Sequence, residues 1–157
     1  MKEHVKPRVV VLGIGNPLCR DDGAGIRVIQ ELWKKDIPPD IRVMDGGTSP
    51  DLPSLIEPGV PKLVIVDALR GGKEPGYIYR LELDESHLSH QPPESLHGLG
   101  LLDGLMMMKM LGTQPQKVVL TGIEPADTSH GLGLSPLAES RLPALIEAVV
   151  DELRPPY

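Results

Sequence analysis

Val9 to Leu12 is an unbroken apolar run, Val-Val-Val-Leu, with none of the polar alternation that marks a strand wetted on one face. A run of that kind fits a strand buried on both sides, and such strands belong to parallel sheets covered by helices above and below. Leu63 to Val66 repeats the pattern, and Val118 to Ile123 reads as a later strand of the same sheet. Ile41 to Met44 is a further strand, and Tyr77 to Leu83 alternates like a strand with one wetter face.

Helical spacing fills the gaps between these runs. A helix starting near Asp21 or Asp22 carries Ile26, Val28, Ile29, Leu32 and Trp33 as its apolar residues and is stopped by Pro38 and Pro39. Leu52 to Ile56 reads as a short helix after Pro50, and Leu96 to Leu111 as an apolar helix rich in methionine. The last helix is expected from about Ser140 to Leu153, with Leu142, Leu145, Ile146, Val149, Val150 and Leu153 toward the core. Those bounds put Pro143 in its first turn, where a missing N–H costs nothing. Asp84 to Glu94 is polar and rich in His, Ser and Pro, and is expected as a mobile surface loop. Strand and helix in alternation predict an α/β fold: a three-layer sandwich in which a mostly parallel sheet of about five strands is covered by helices on both faces. Residues 1–157 read as a single domain.

Composition removes several function classes. Phe is absent and aromatics make up 3% of the chain, so the core must be aliphatic and methionine-filled, and stacking platforms for single-stranded nucleic acid are missing. A net charge of -6 repels a phosphate backbone, so no nucleic-acid partner is expected. The single cysteine, Cys19, can form neither an internal disulfide nor a thiolate zinc cluster. The apolar run Val9 to Ile14 is too short for a signal or membrane span, so a cytoplasmic protein with no membrane insertion is expected.

In open α/β sheets the chemistry sits in loops beyond the carboxyl ends of the strands. Acids fall there three times: Asp21 and Asp22 after the first strand, Asp45 after the second, Asp67 after the third. The loop Gly13-Ile14-Gly15-Asn16-Pro17-Leu18 imitates a dinucleotide fingerprint but has Leu18 where the third glycine is required. Asp21 and Asp22 can cap the helix that follows; one side chain suffices for a cap, which releases the other to bind a cation. Asp67 ends a buried run and must be solvated, hydrogen-bonded or metal-bound. Asp45 reads as structural, accepting N–H bonds from the Gly46-Gly47-Thr48 turn. His97 opens an apolar helix, whose positive end favours neutral imidazole, a state able to ligate; His130 is the reserve. His4, His87 and His90 lie in polar surroundings and read as solvated. The methionines Met106, Met107, Met108 and Met110 read as gap-filling core, and Cys19 has only Arg20 beside it as an activating neighbour. Neither a G-x-S-x-G nor an H-E-x-x-H motif occurs. Two carboxylates and an imidazole make an open O/O/N set suited to nickel, zinc or manganese, and such a set can polarise a carbonyl and activate water.

The run Gly13-Ile14-Gly15-Asn16-Pro17-Leu18 followed by Asp21-Asp22-Gly23-Ala24-Gly25 resembles the signature of the hydrogenase maturation endopeptidases. The resemblance continues through Asp45-Gly46-Gly47-Thr48, Val66-Asp67-Ala68, Pro75-Gly76, Ser95-Leu96-His97 and Gly122-Ile123-Glu124-Pro125, in order along nearly the whole chain. It implies a protease that removes the C-terminal peptide from the large-subunit precursor of a nickel-iron hydrogenase. The family's three metal-contacting positions fall on Asp22, Asp67 and His97. The resemblance further implies that the nickel is brought by the precursor, with no metal held at rest. Two positions depart from the common pattern: Pro50 stands where many members have Gly, which bears on substrate choice, and Asp22 where the acid is often Glu. Two readings compete. One is a non-catalytic chaperone that binds the nickel-loaded precursor. The other is a magnesium-dependent, receiver-like signalling domain with Asp67 as phosphoacceptor, which would want its lysine at the end of the last strand, whereas Lys117 precedes it.

Overall fold

The computed structural model describes residues 4–84, 94–95 and 98–155. Five strands make the sheet expected from the apolar runs: β1 (Val9–Gly13), β2 (Ile41–Asp45), β3 (Lys62–Arg70), β4 (Ile78–Leu83) and, after the short β5 (Glu94–Ser95), β6 (Lys117–Ile123). Their spatial order is β2-β1-β3-β6-β4, and β5 attaches to β3 alone. β1 pairs in parallel with β2 and β3, and β3 with β6, while β4 runs antiparallel on β6.

Among the described residues four helices complete the layers: α1 (Ala24–Trp33), α2 (Leu52–Leu55), α3 (Gly98–Leu111) and α4 (Pro136–Asp151). Alternation along the strands sends Val9, Val11, Val64, Val66 and Ile123 to the side of α1 and α4. Val10, Leu12, Leu63, Ile65 and Leu120 go to the side of α2 and α3. The three-layer, mostly parallel α/β architecture is the one the sequence implies.

Several boundaries differ from expectation, each for a physical reason. β3 does not stop at Asp67; it runs on to Arg70, because β6 pairs it as far as Ala68 and β5 takes Leu69 and Arg70. α4 starts at Pro136 rather than Ser140, with the Ser135 hydroxyl accepting the Ala138 N–H as its cap, so Pro143 lies inside the helix and not in its first turn. Trp33 ends α1 at 55% exposure, outside the core, and its Nε1 donates to the Val43 carbonyl on edge strand β2. Of the four methionines expected inside, only Met108 is buried; Met106, Met107 and Met110 are exposed. Consecutive helical residues are turned by about 100°, so a Met-Met-Met run cannot face one layer, and Leu101, Leu105 and Met108 take the inner stripe. The expected loop lies, from 85 to 93, outside the described residues, as do Leu96 and His97. No helix among the described residues is long and apolar enough to cross a membrane.

Candidate active site

The strand order creates one special crevice. From β1 the chain winds through α1 to β2 on one side, then returns to place β3 on the other side of β1. Loops leaving β1 and β3 therefore part at their carboxyl ends, which is where ligands bind in open α/β sheets. Gly13 is level with Val66, so Asp67 stands one residue above the end of β1. Asp22 arrives from the single 3-10 turn Arg20–Gly23 that precedes α1.

Glycines let these pieces touch. A Cβ on Gly25 would sit 2.2 Å from the Val66 carbonyl oxygen and 2.5 Å from that of Ile14, so the first turn of α1 lies directly on the backbone preceding Asp67. Gly15, at φ 151°, would place a Cβ 2.1 Å from the Asp22 carbonyl oxygen. The glycines of the first motif thus serve close backbone packing and not a phosphate. The same loop is tied to its neighbours by Ile14 N–H to the Val66 carbonyl (2.9 Å) and Gly15 N–H to the Gly47 carbonyl (3.0 Å).

Asp22 and Asp67 are both buried, at 6% and 0% exposure, and each is oriented by a backbone donor. Asn16 N–H donates to Asp22 Oδ2 at 3.0 Å, and Ala68 N–H to Asp67 Oδ1 at 2.8 Å. On β3 Asp67 follows the alternation of Leu63, Ile65 and Leu69, which places it on the α2–α3 side of the sheet. His97, the third expected ligand, lies outside the described residues, and among those described no group of three His, Cys, Asp or Glu is arranged to hold a metal.

Asp21 proves to be the partner with another task. Neither it nor Asp22 caps the helix that follows, since the 3-10 turn and α1 both start without a side-chain cap. Fully buried Asp21 instead accepts four bonds from the far side of the molecule: Ala126 N–H (2.9 Å), Asp127 N–H (3.0 Å), Ser135 Oγ–H (2.7 Å) and Ser135 N–H (2.7 Å). It fastens the segment after β6, and the start of α4, to the loop that carries Asp22. Asp45 has the structural role expected, accepting the Gly47 N–H at 2.8 Å. His130 pairs with Cys19, its Nδ1 3.8 Å from the sulfur.

Glu124 is a residue whose part the sequence reading did not assign, although it belongs to the Gly122–Pro125 motif. It is buried directly after β6 and accepts Tyr79 Oη–H at 3.1 Å. Its carbonyl accepts the Gly76 N–H and its N–H donates to the Tyr77 carbonyl, each at 2.8 Å, just before β4 begins. Burial, helped by the Glu124 carboxylate, raises Tyr79 above the ordinary phenol range against the opposing Lys73 N–H. An acid immediately following a buried strand was the available signal.

Fold and carboxylates define a class: an α/β domain bearing paired acids at the switch point of a mostly parallel sheet. Within that class the chain belongs to the hydrogenase maturation protease family, whose family model matches residues 26–152. It is 32% identical over 149 residues to the Hydrogenase 2 maturation protease of Escherichia coli (strain K12), covering 94% of this chain and 91% of that relative. The solved structure of the hydrogenase maturating endopeptidase HybD from E. coli superposes with a TM-score of 0.83 at 32% identity, covering 94% of this chain and 92% of the other. The NiFe hydrogenase maturation protease HybD from Thermococcus kodakarensis gives 0.78 at 25% identity, over 94% and 99%. By family the chain is an endopeptidase, and the receiver-like alternative falls away. Lys117 stands level with Lys62, at the opposite end of β6 from Gly122, the partner of Asp67.

Proposed function

We propose that this endopeptidase removes the C-terminal peptide from the nickel-loaded precursor of a nickel-iron hydrogenase large subunit, and that Asp22, Asp67 and His97 grip the precursor's nickel. The observation that carries the reading is the burial of Asp22 and Asp67 on either side of the β1–β3 crevice, each aimed by a backbone N–H. In the sequence His97 lies two residues beyond Ser95, and Ser95 pairs with Leu69, which itself lies two residues beyond Asp67 on β3. Two carboxylates and a neutral imidazole form a donor set for a borderline divalent ion, and nickel is among those it suits.

Backbone hydrogen bonds orient both carboxylates, and Asp22 is assigned the proton-accepting role. Asn16 N–H and Ala68 N–H each occupy one carboxylate oxygen, which fixes the rotation of the side chain. Docking on the nickel holds the nearby peptide bond beside Asp22, which takes a proton from the attacking water. That proton passes to the departing amine as the carbon–nitrogen bond breaks. The crevice supplies position, and the precursor supplies the ion.

Intact-mass measurement on the purified protein mixed with precursor tests this, with and without nickel loaded. Loss of one C-terminal peptide only from the loaded precursor is expected. Cleavage of the nickel-free precursor would overturn recognition through the metal. Binding without any cleavage would make the protein the nickel-precursor-binding chaperone instead.

A further inference from the structure

Arg20, two residues before Asp22, carries two unfavourable features. At φ 47° it is the only non-glycine residue in the left-handed region among those described. That conformation crowds a side chain, and it persists at functional sites where neighbouring bonds enforce it. Here the bonds are Arg20 N–H to the Gly131 carbonyl (3.1 Å), Asp21 N–H to the Asp127 carbonyl (3.0 Å) and Asp22 N–H to the Cys19 carbonyl (3.1 Å). The second feature is in the side chain. Its Nε is buried and donates to nothing among the described residues, and a buried donor without an acceptor is destabilising. Asp127 Oδ2 stands 3.7 Å from Nε, beyond hydrogen-bond range, and the other Asp127 oxygen is taken by Ser129. Gly131 makes room for the guanidinium, since a Cβ there would lie 2.7 Å from Arg20 Cζ. No structural hydrogen bond accounts for this placement.

The partly exposed end of the side chain lines a groove of about 180 Å³ with Pro17, Ile26, Leu132 and Leu134. Arg27 lines it too but is already committed to Glu139 and Glu31, and no carboxylate is in the wall. Such a groove suits an anion flanked by apolar surface, and a planar guanidinium takes a carboxylate through two parallel bonds. Groove and crevice share one loop: Arg20 and Gly23 line the groove, and Asp22 between them is turned to the crevice by Asn16. We infer that Arg20 is a specificity-determining residue whose guanidinium binds a carboxylate of the C-terminal peptide that the enzyme removes. A C-terminal peptide always supplies one, because its last residue ends in an α-carboxylate; an Asp or Glu side chain within it offers the same chemistry. The groove wall is built on α1, whereas Asp67 faces α2 and α3, so the contact lies apart from the reacting atoms and acts on binding. The inference rests on the precursor reading above.

The test measures steady-state cleavage and equilibrium binding of the nickel-loaded precursor by the full chain and by Arg20→Met, which keeps an apolar stem and removes the charge. Arg20→Met should raise KM and Kd about tenfold, with kcat within about twofold and no fall in melting temperature. Arg20→Lys should recover only part of the binding, since an ammonium cannot fork. Two altered precursors distinguish the sources of the carboxylate. One has a Gly-Ser-Gly-Ser tail after its last residue, and the other has the Asp and Glu of the removed peptide changed to Asn and Gln. One of the two should weaken binding to the parent protein by the same factor and be indifferent to Arg20→Met. Unchanged KM and Kd in Arg20→Met, with cleavage by the parent intact, would overturn the inference and leave the processing reading standing. So would a fall in kcat and melting temperature with KM unmoved, which makes Arg20 structural, or full sensitivity to Arg20→Met with both altered precursors. Binding weakened by Arg20→Met, without cleavage by the parent, would uphold the contact and overturn the processing. No binding by the parent would overturn both.

Discussion

Adjacent and identical in type, Asp21 and Asp22 should respond in opposite ways to the same isosteric change. Asp21→Asn places an amide among four donors, so at least one charged hydrogen bond is lost and a buried N–H is left facing another N–H. Hydrogen bonds to a buried carboxylate contribute more than neutral ones, and the expected loss is about 2–3 kcal/mol in chemical denaturation. Asp22→Asn keeps an oxygen for the Asn16 N–H, so the loss of stability should be smaller than for Asp21→Asn, while processing of the precursor is abolished. A melting loss for Asp22→Asn as large as that for Asp21→Asn would return Asp22 to a structural role. Both acids were visible as candidates in the sequence. Which of them faces the crevice was not, because Asp21's partners stand more than a hundred residues away along the chain. Asp67 was easier to single out, since a carboxylate inside a run of Val, Ile and Leu needs a partner wherever the strand lies.

At the scale of the element, α4 shows why periodicity locates a core face better than it locates a helix end. Leu142, Leu145 and Val149 are buried as their spacing implies, yet the helix begins a full turn earlier because Ser135 caps it and Pro136 fits its first position. Pro143 then removes the N–H that would bond the Glu139 carbonyl and presses its ring on that turn. Other contacts hold the strained turn in place. Arg27 of α1 forks onto both Glu139 carboxylate oxygens, at 2.8 and 3.2 Å, and this contact, with help from Glu31, raises the guanidinium above its ordinary value. Since Pro143 is exposed, Pro143→Ala restores one backbone bond without disturbing the core. The gain is offset partly by a freer unfolded chain, leaving an expected stabilisation of about 1–2 kcal/mol. If the variant melts lower, the bend is needed to seat Leu142 and Leu145. The methionine run taught the converse lesson: composition suggested core, and the turn per residue sent three of the four side chains outward.

Across the whole molecule, the layers are pinned at the ends of the sheet by charge, and Glu152 is the clearest pin. Just beyond α4, it lies 2.6 Å from Lys62 Nζ on β3 and hydrogen-bonds Arg80 on β4, while its own carbonyl accepts Lys62 Nζ–H at 2.8 Å. Burial works to raise this carboxyl, but the bonds to Arg80 and Lys62 outweigh it and hold it below the ordinary glutamate value. Strand order, which no reading of local pattern supplied, is what brings β3, β4 and α4 to one carboxylate. A depressed folded-state value means that the unfolded chain binds the proton more readily. The stabilisation is therefore fully present above the unfolded glutamate value and fades as pH falls through the folded one. Acid also removes the net charge of -6 and, below an isoelectric point of about 5.3, leaves the molecule increasingly positive, so the raw melting curve mixes this changing repulsion with the loss of the ion pairs. Comparison with Glu152→Gln separates them, because general repulsion changes in nearly the same way in both proteins. At neutral pH the variant should melt well below the parent, with Lys62 and Arg80 left facing an amide. Between roughly pH 5 and pH 3 the gap should close. A gap that stays constant across that range would show that the pair contributes through packing and not through charge, and the anchoring of α4 would then rest on its apolar face alone.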